Sequence, residues 1–144
     1  MNKNLKATSS IEINSASEEV WGALTKPEKI KEYLFGTETI TDWKIGSQIV
    51  FQGEYNGQSY KDKGNVLENK QNVLLKYNYW SGFSGLEDKP ENYSLITYEI
   101  VPLSKSKVKF TWSQEGFANE ENQKHSQSGL PALLEQIKKL TEKK

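Results

Sequence analysis

Five apolar residues near the C-terminus, Leu130, Leu133, Leu134, Ile137 and Leu140, fall at i, i+3, i+4, i+7 and i+10. That spacing makes one stripe on an α-helix, and an apolar stripe needs another element to cover it. The chain upstream offers surfaces of a different period. Val73, Leu75, Tyr77 and Tyr79 alternate with Leu74, Lys76, Asn78 and Trp80, the clearest strand pattern present. Ile96, Tyr98 and Ile100 share a face of a second strand, Tyr93 to Val101. Val108, Phe110 and Trp112 share a face of a third, Lys107 to Gln114. Runs this close in sequence pair as hairpins, so the sheet is antiparallel. A strongly twisted sheet is the available cover for the stripe, and the fold class is α+β.

The rest of the chain fits around that pair. Thr8 to Asn14 reads as an opening strand, with Ile11 and Ile13 on one face. Ser15 followed by Glu18 has the spacing of a capping box, which predicts a helix from Ser15 carrying Val20, Trp21 and Leu24. Pro27 separates it from a second short helix with Ile30, Tyr33 and Leu34, which Gly36 stops. Thr39 to Trp43 is a candidate strand, and Gly46 opens another with Ile49, Phe51 and Tyr55 on one face. Asn56-Gly57 is a two-residue hairpin signal. The return strand, Tyr60 to Glu68, places Tyr60, Asp62, Gly64 and Val66 together. Ser81 to Asn92, with two glycines and one proline, reads as a surface loop. Gly129 and Pro131 interrupt the final pattern. Either the helix begins near Leu130, or a longer one from about Asn119 bends there; the longer helix is the preferred reading.

Composition narrows the function. At 144 residues the chain is expected to form a single domain spanning 1–144. Nineteen basic residues balance nineteen acidic ones, so no global field draws the protein to nucleic acid or inserts it in a membrane. Every basic residue is lysine, which removes the planar fork that grips phosphate or carboxylate. There is no cysteine and one histidine, His125, so thiol chemistry and a histidine-based metal site are not expected. No cofactor is expected either. Met1 to Ser10 lacks the apolar run of a signal peptide, and a cytoplasmic location is the expectation.

The order of elements, with these residues, resembles the START-like (birch-pollen-allergen-like, SRPBCC) superfamily. Within it, the chain resembles the family named for the activator of the heat-shock chaperone ATPase, the activator of Hsp90 ATPase homologues. Ile13 with Val20-Trp21 and Leu24 matches that family's opening strand and Val-Trp helix. Pro27-Glu28 followed by Tyr33-Leu34-Phe35-Gly36 matches its second helix. Trp43-Lys44-Ile45-Gly46, Phe51, Gly57 and Gly64 fall at its turn glycines, and Gln114-Glu115-Gly116-Phe117 at its Gly-Phe turn. Leu130-Pro131-Ala132-Leu133-Leu134 matches its C-terminal Leu-rich segment. The chain departs from the family in having Leu130 after Gly129, where tryptophan is frequent, and in having no arginine. The resemblance implies a helix-grip: a curved antiparallel sheet of six to seven strands around a long C-terminal helix, two short helices after the first strand, and a cavity between sheet and helix.

Candidate ligand-binding residues follow. Phe51, Tyr77, Tyr79, Tyr98, Phe110 and Trp112 form an aromatic inner face, with Leu130, Leu133 and Leu134 opposite. The plain account is core packing. The alternative is that some hydroxyls point into a cavity and orient an amphipathic guest. Asp62 lies on the same face as Tyr60 and Val66, and either points inward as a polar group of that cavity or is solvated at a strand edge. Alternation places Glu54 and Glu99 outside, so no paired-carboxylate hydrolase is indicated. No catalytic residue is assigned. The leading expectation is a non-enzymatic domain that binds a small hydrophobic or amphipathic molecule, as a monomer or weak dimer. The alternatives are a chaperone co-factor acting in a stress response and, behind it, a cyclase-like or hydrolase-like enzyme.

Overall fold

A computed structural model describes residues 1–142; Lys143 and Lys144, which with Lys138 and Lys139 are expected from the sequence to suit the dipole at the end of the last helix, lie outside the described residues, as does the side chain of Tyr55. Seven strands form one curved, open antiparallel sheet: β1 (Asn2–Ile13), β2 (Glu38–Ile40), β3 (Gln48–Tyr55), β4 (Gln58–Lys70), β5 (Leu74–Tyr79), β6 (Ser94–Ser104) and β7 (Lys107–Phe117). Their order is β1-β7-β6-β5-β4-β3-β2. Two short helices, α1 (Ser17–Thr25) and α2 (Pro27–Tyr33), follow β1, and α3 (Glu120–Glu142) closes the fold.

The helix-grip and its antiparallel sheet match the expectation, and several local readings move. The opening strand starts at Asn2 rather than Thr8, because β7 offers partners along its full length, from Ile13 opposite Val108 to Asn2 opposite Phe117. The first helix starts at Ser17. Ser15 is buried and spends its hydroxyl on the Glu19 carboxylate, so no side chain caps the helix at Ala16. The short strand ends at Ile40. Trp43 turns the chain at φ 61, and its indole N–H donates to the Thr25 carbonyl at 2.8 Å, fastening this loop to α1. The final helix is one run through Gly129 and Pro131.

Gly64 shows why the sheet needs a glycine in β4. A Cβ there would stand 1.8 Å from the Asn78 carbonyl oxygen of β5. Three positions on, Leu67 is left without a partner between the Val66–Tyr77 and Glu68–Lys76 pairs. Such a bulge sharpens the local twist and lets the sheet wrap.

The core divides in space. Ile13, Ile100, Val108, Phe110, Leu134 and Ile137 are fully enclosed where β1, β6 and β7 meet α3. Burying each such side chain contributes roughly 1.5–3 kcal/mol. Helix α3 also runs as a rail beside β1. Gln127 Nε2 donates to the Thr8 carbonyl at 2.7 Å while the Thr8 N–H donates to Gln127 Oε1 at 2.9 Å. Gln123 reaches the Lys6 carbonyl at 2.7 Å, and the Asn14 N–H donates to Glu142 at 2.7 Å. No helix of the described residues is long and apolar enough to cross a membrane.

Candidate functional site

On the other flank of the sheet, β3, β4 and β5 are not covered by α3, and a cleft of about 400 Å³ remains. Phe51 from β3, Asp62 from β4, and Tyr77 and Tyr79 from β5 stand along one wall. Trp112 and Ile96 form its floor. Leu34, Phe35 and Thr37, between α2 and β2, and Ser81 and Phe83, after β5, make the rim. A second lobe of about 700 Å³ lies under α2 and α3, lined by Tyr33, Gly129, Leu130 and Leu133 among others. The lobes share Leu34, Phe35, Trp112 and Gln114, so they adjoin.

Each rim aromatic has a local reason for its place. Phe35 sits at φ 53 and is 93% exposed, thrust out by the turn that ends α2. Phe83 is 58% exposed on a short 3-10 turn, Gly82–Ser84, with its ring 5.9 Å from that of Tyr60. Tyr60 itself fits because its cross-strand neighbour is Gly53, where a Cβ would stand 2.8 Å from the Tyr60 hydroxyl oxygen. The segment 81–92, read from sequence as a surface loop, is fastened: the Trp80 indole donates to the Leu86 carbonyl at 3.2 Å and the Tyr93 hydroxyl to Asp88 at 2.5 Å.

The polar centre is Asp62, which is 7% exposed. The Tyr79 hydroxyl donates to one carboxylate oxygen at 2.5 Å, and the Gly82 N–H donates to the other at 3.2 Å. Burial and the adjacent carboxylate hold the Tyr79 hydroxyl well above the usual phenol range, so it stays a neutral donor. Behind it, Tyr77 and Tyr98 share a hydroxyl–hydroxyl bond of 2.6 Å. Burial raises both, and also raises Tyr33. Edge-to-face contacts run from Phe51 and Tyr79 (5.8 Å) through Tyr77 and Tyr98 (5.6 Å) to Phe110 (5.9 Å).

The ten residues singled out from sequence thus separate. Phe51, Asp62, Tyr77, Tyr79 and Trp112 line the first lobe; Trp112, Leu130 and Leu133 line the second. Tyr98, Phe110 and Leu134 line neither and are packed in the core. Sequence reasoning passed over Phe35, Phe83 and Tyr60 as site residues and set Glu54 outside; Glu54 lies at the cleft's edge. The flags were present: a large aromatic before Gly36, and another inside a glycine-rich turn. Among the described residues no group of three or more His, Asp or Glu is placed to hold a metal.

The family described as activator of Hsp90 ATPase homolog 1-like protein matches residues 14–142. The chain belongs to this family. A protein of Cytophaga hutchinsonii, known by its solution structure, is 42% identical, with 99% of this chain and 97% of that one covered and a TM-score of 0.83. An HSP90 activator from Plasmodium falciparum is similar in fold, at 15% identity, 93% and 94% coverage and a TM-score of 0.73. So is the Aha1 dimer from Colwellia psychrerythraea, at 14% identity, 96% coverage of each chain and a TM-score of 0.74. The comparison with curated proteins finds no match.

Proposed function

We propose that this domain is a container for a small amphipathic molecule, held in the cleft between β3–β5 and the α2–β2 turn. The observation that carries the reading is the cleft's make-up. It is of ligand size, half of its lining residues are aromatic, and a few polar groups converge on it, which is how small-molecule sites are commonly built. Two exposed phenylalanines at its rim, Phe35 and Phe83, add to it, because large apolar side chains left in water at a pocket mouth have a guest to cover.

The test is a screen of lipids and aromatic metabolites by thermal shift, followed by NMR titration of hits. A true guest moves the amide and side-chain signals of Phe51, Tyr79 and Trp112 and raises the melting temperature. At a concentration one hundred times Kd the stabilisation is about 2.7 kcal/mol. Hits that perturb only residues away from the cleft would overturn the reading.

A second reading is favoured by the family match and by the fold shared with the Plasmodium falciparum HSP90 activator: the domain acts on a chaperone. Pull-down with an Hsp90 and an ATPase assay decide it. Stimulation of turnover supports the co-factor role, and no binding together with no stimulation removes it.

A further inference from the structure

Lysines make up all 19 basic residues of this chain, yet no described residue lining either lobe of the cleft is a lysine. Acids are present instead: Asp62 and Glu54 in the first lobe and Glu32 in the second, where His125 is the one basic side chain. In a chain of zero formal net charge this is a local imbalance, and it has a structural cause. Lys61 and Lys63 flank Asp62 in β4, but alternation turns them away from it. Lys63 is engaged elsewhere, paired with Asp88 and lying 5.8 Å from the centre of the Trp80 ring.

Asp62 is therefore a nearly buried carboxylate whose two partners, the Tyr79 hydroxyl and the Gly82 N–H, are both neutral. No ion pair with a lysine holds it among the described residues. A buried carboxylate is costly without a counter-charge. Around it, Phe51, Tyr60, Tyr79 and Phe83 offer aromatic faces, whose negative quadrupoles attract cations. An anionic guest would meet repulsion in this cleft, and a neutral one would leave the carboxylate as it is.

We propose that the guest is an organic cation, an amine or quaternary ammonium on an apolar body, with its charge against Asp62 and its body among the aromatic walls. This rests on the container reading and names the ligand class for it. The test uses three probes that differ only in the head group: 4-phenylbutylamine, 4-phenylbutanol and 4-phenylbutanoate, titrated into the full chain at pH 7 by calorimetry and NMR. The amine should bind about tenfold or more tighter than the alcohol, a gap typical of one well-placed charge contact, with the carboxylate weakest. Asp62→Asn, whose one oxygen can still accept from the Gly82 N–H while its NH2 donates to the Tyr79 hydroxyl oxygen, should bring the amine down to the level of the alcohol and leave the alcohol within about twofold of its wild-type affinity. Glu54→Gln, at the rim, should cost the amine less. The wild-type comparison needs no variant to fold. Alcohol or carboxylate binding as well as the amine overturns the charge assignment and leaves the container standing. Failure of all three probes and of the wider screen removes the container, and the inference with it.

Discussion

The two flanks of the sheet are built from the same alternating strands and end differently. Where β1, β6 and β7 face α3, the interior is solid, with Ile13, Val108, Phe110 and Ile137 entirely shut off from solvent. Where β3, β4 and β5 face the α2–β2 turn, the same kind of inward row, Phe51, Asp62, Tyr77 and Tyr79, borders open space. The difference lies in the covering element. Helix α3 is bonded along β1 by Gln123, Gln127 and Glu142, so its stripe serves that flank. The far flank is left to short segments with few large aliphatics. A helix-grip of this kind is therefore part core and part container, and one stripe of leucines can serve the first without filling the second.

That contrast can be broken most directly by truncation. Leu134→Ala, in the solid flank, should cost about 2–5 kcal/mol in urea unfolding, as buried leucines do when a cavity is left. Phe83→Ala, at the rim of the other flank, should stay within about 0.5 kcal/mol although it removes a larger side chain. Equal losses would mean the flanks are not energetically distinct. Gly64→Ala should come next, at about 1–3 kcal/mol, because the new methyl meets the Asn78 carbonyl and the β4–β5 seam must open; a shift in the Tyr77 and Tyr79 signals would place the damage on the cleft side.

The tyrosines at the seam make a pH prediction. Burial raises Tyr33, Tyr77, Tyr79 and Tyr98 above the ordinary phenol value, so the folded state holds these protons where the unfolded chain gives them up. Their contribution is complete below about pH 10 and is lost as pH rises beyond it. Melting temperature should fall steeply above about pH 10, and Tyr98→Phe should flatten that fall while costing about 1 kcal/mol at neutral pH. Gln127→Ala should cost about 0.5–1.5 kcal/mol in unfolding, with faster amide exchange at Thr8 as its local sign.

The fold was legible because its signals are periodic. The Leu130–Leu140 stripe, the Val73–Trp80 alternation and the Asn56-Gly57 turn each carry their own geometry, and the structure has a helix, a strand and a hairpin there. The cleft was legible only in part. Alternation marks a side chain as inward, and Tyr79 and Phe110 are both inward; it does not say whether a partner stands opposite. That depends on where α3 is fastened, which is decided by glutamines whose bonds to the β1 backbone have no periodic mark. The rim was hidden for a related reason. Phe35 and Phe83 lie in turns, where exposure follows from a left-handed φ or a 3-10 bend rather than from a repeat.

The Gln127 contact has a consequence beyond this flank. With one amide it both accepts from and donates to Thr8, as an eighth strand would at that residue. An open sheet normally ends in a bare row of backbone groups that another chain can extend. Here one margin is occupied by side chains of the protein's own helix, and the other, β2, is only three residues long. The sheet's two margins are thus closed by different means, one by helix side chains on β1 and the other by a three-residue strand along the middle of β3.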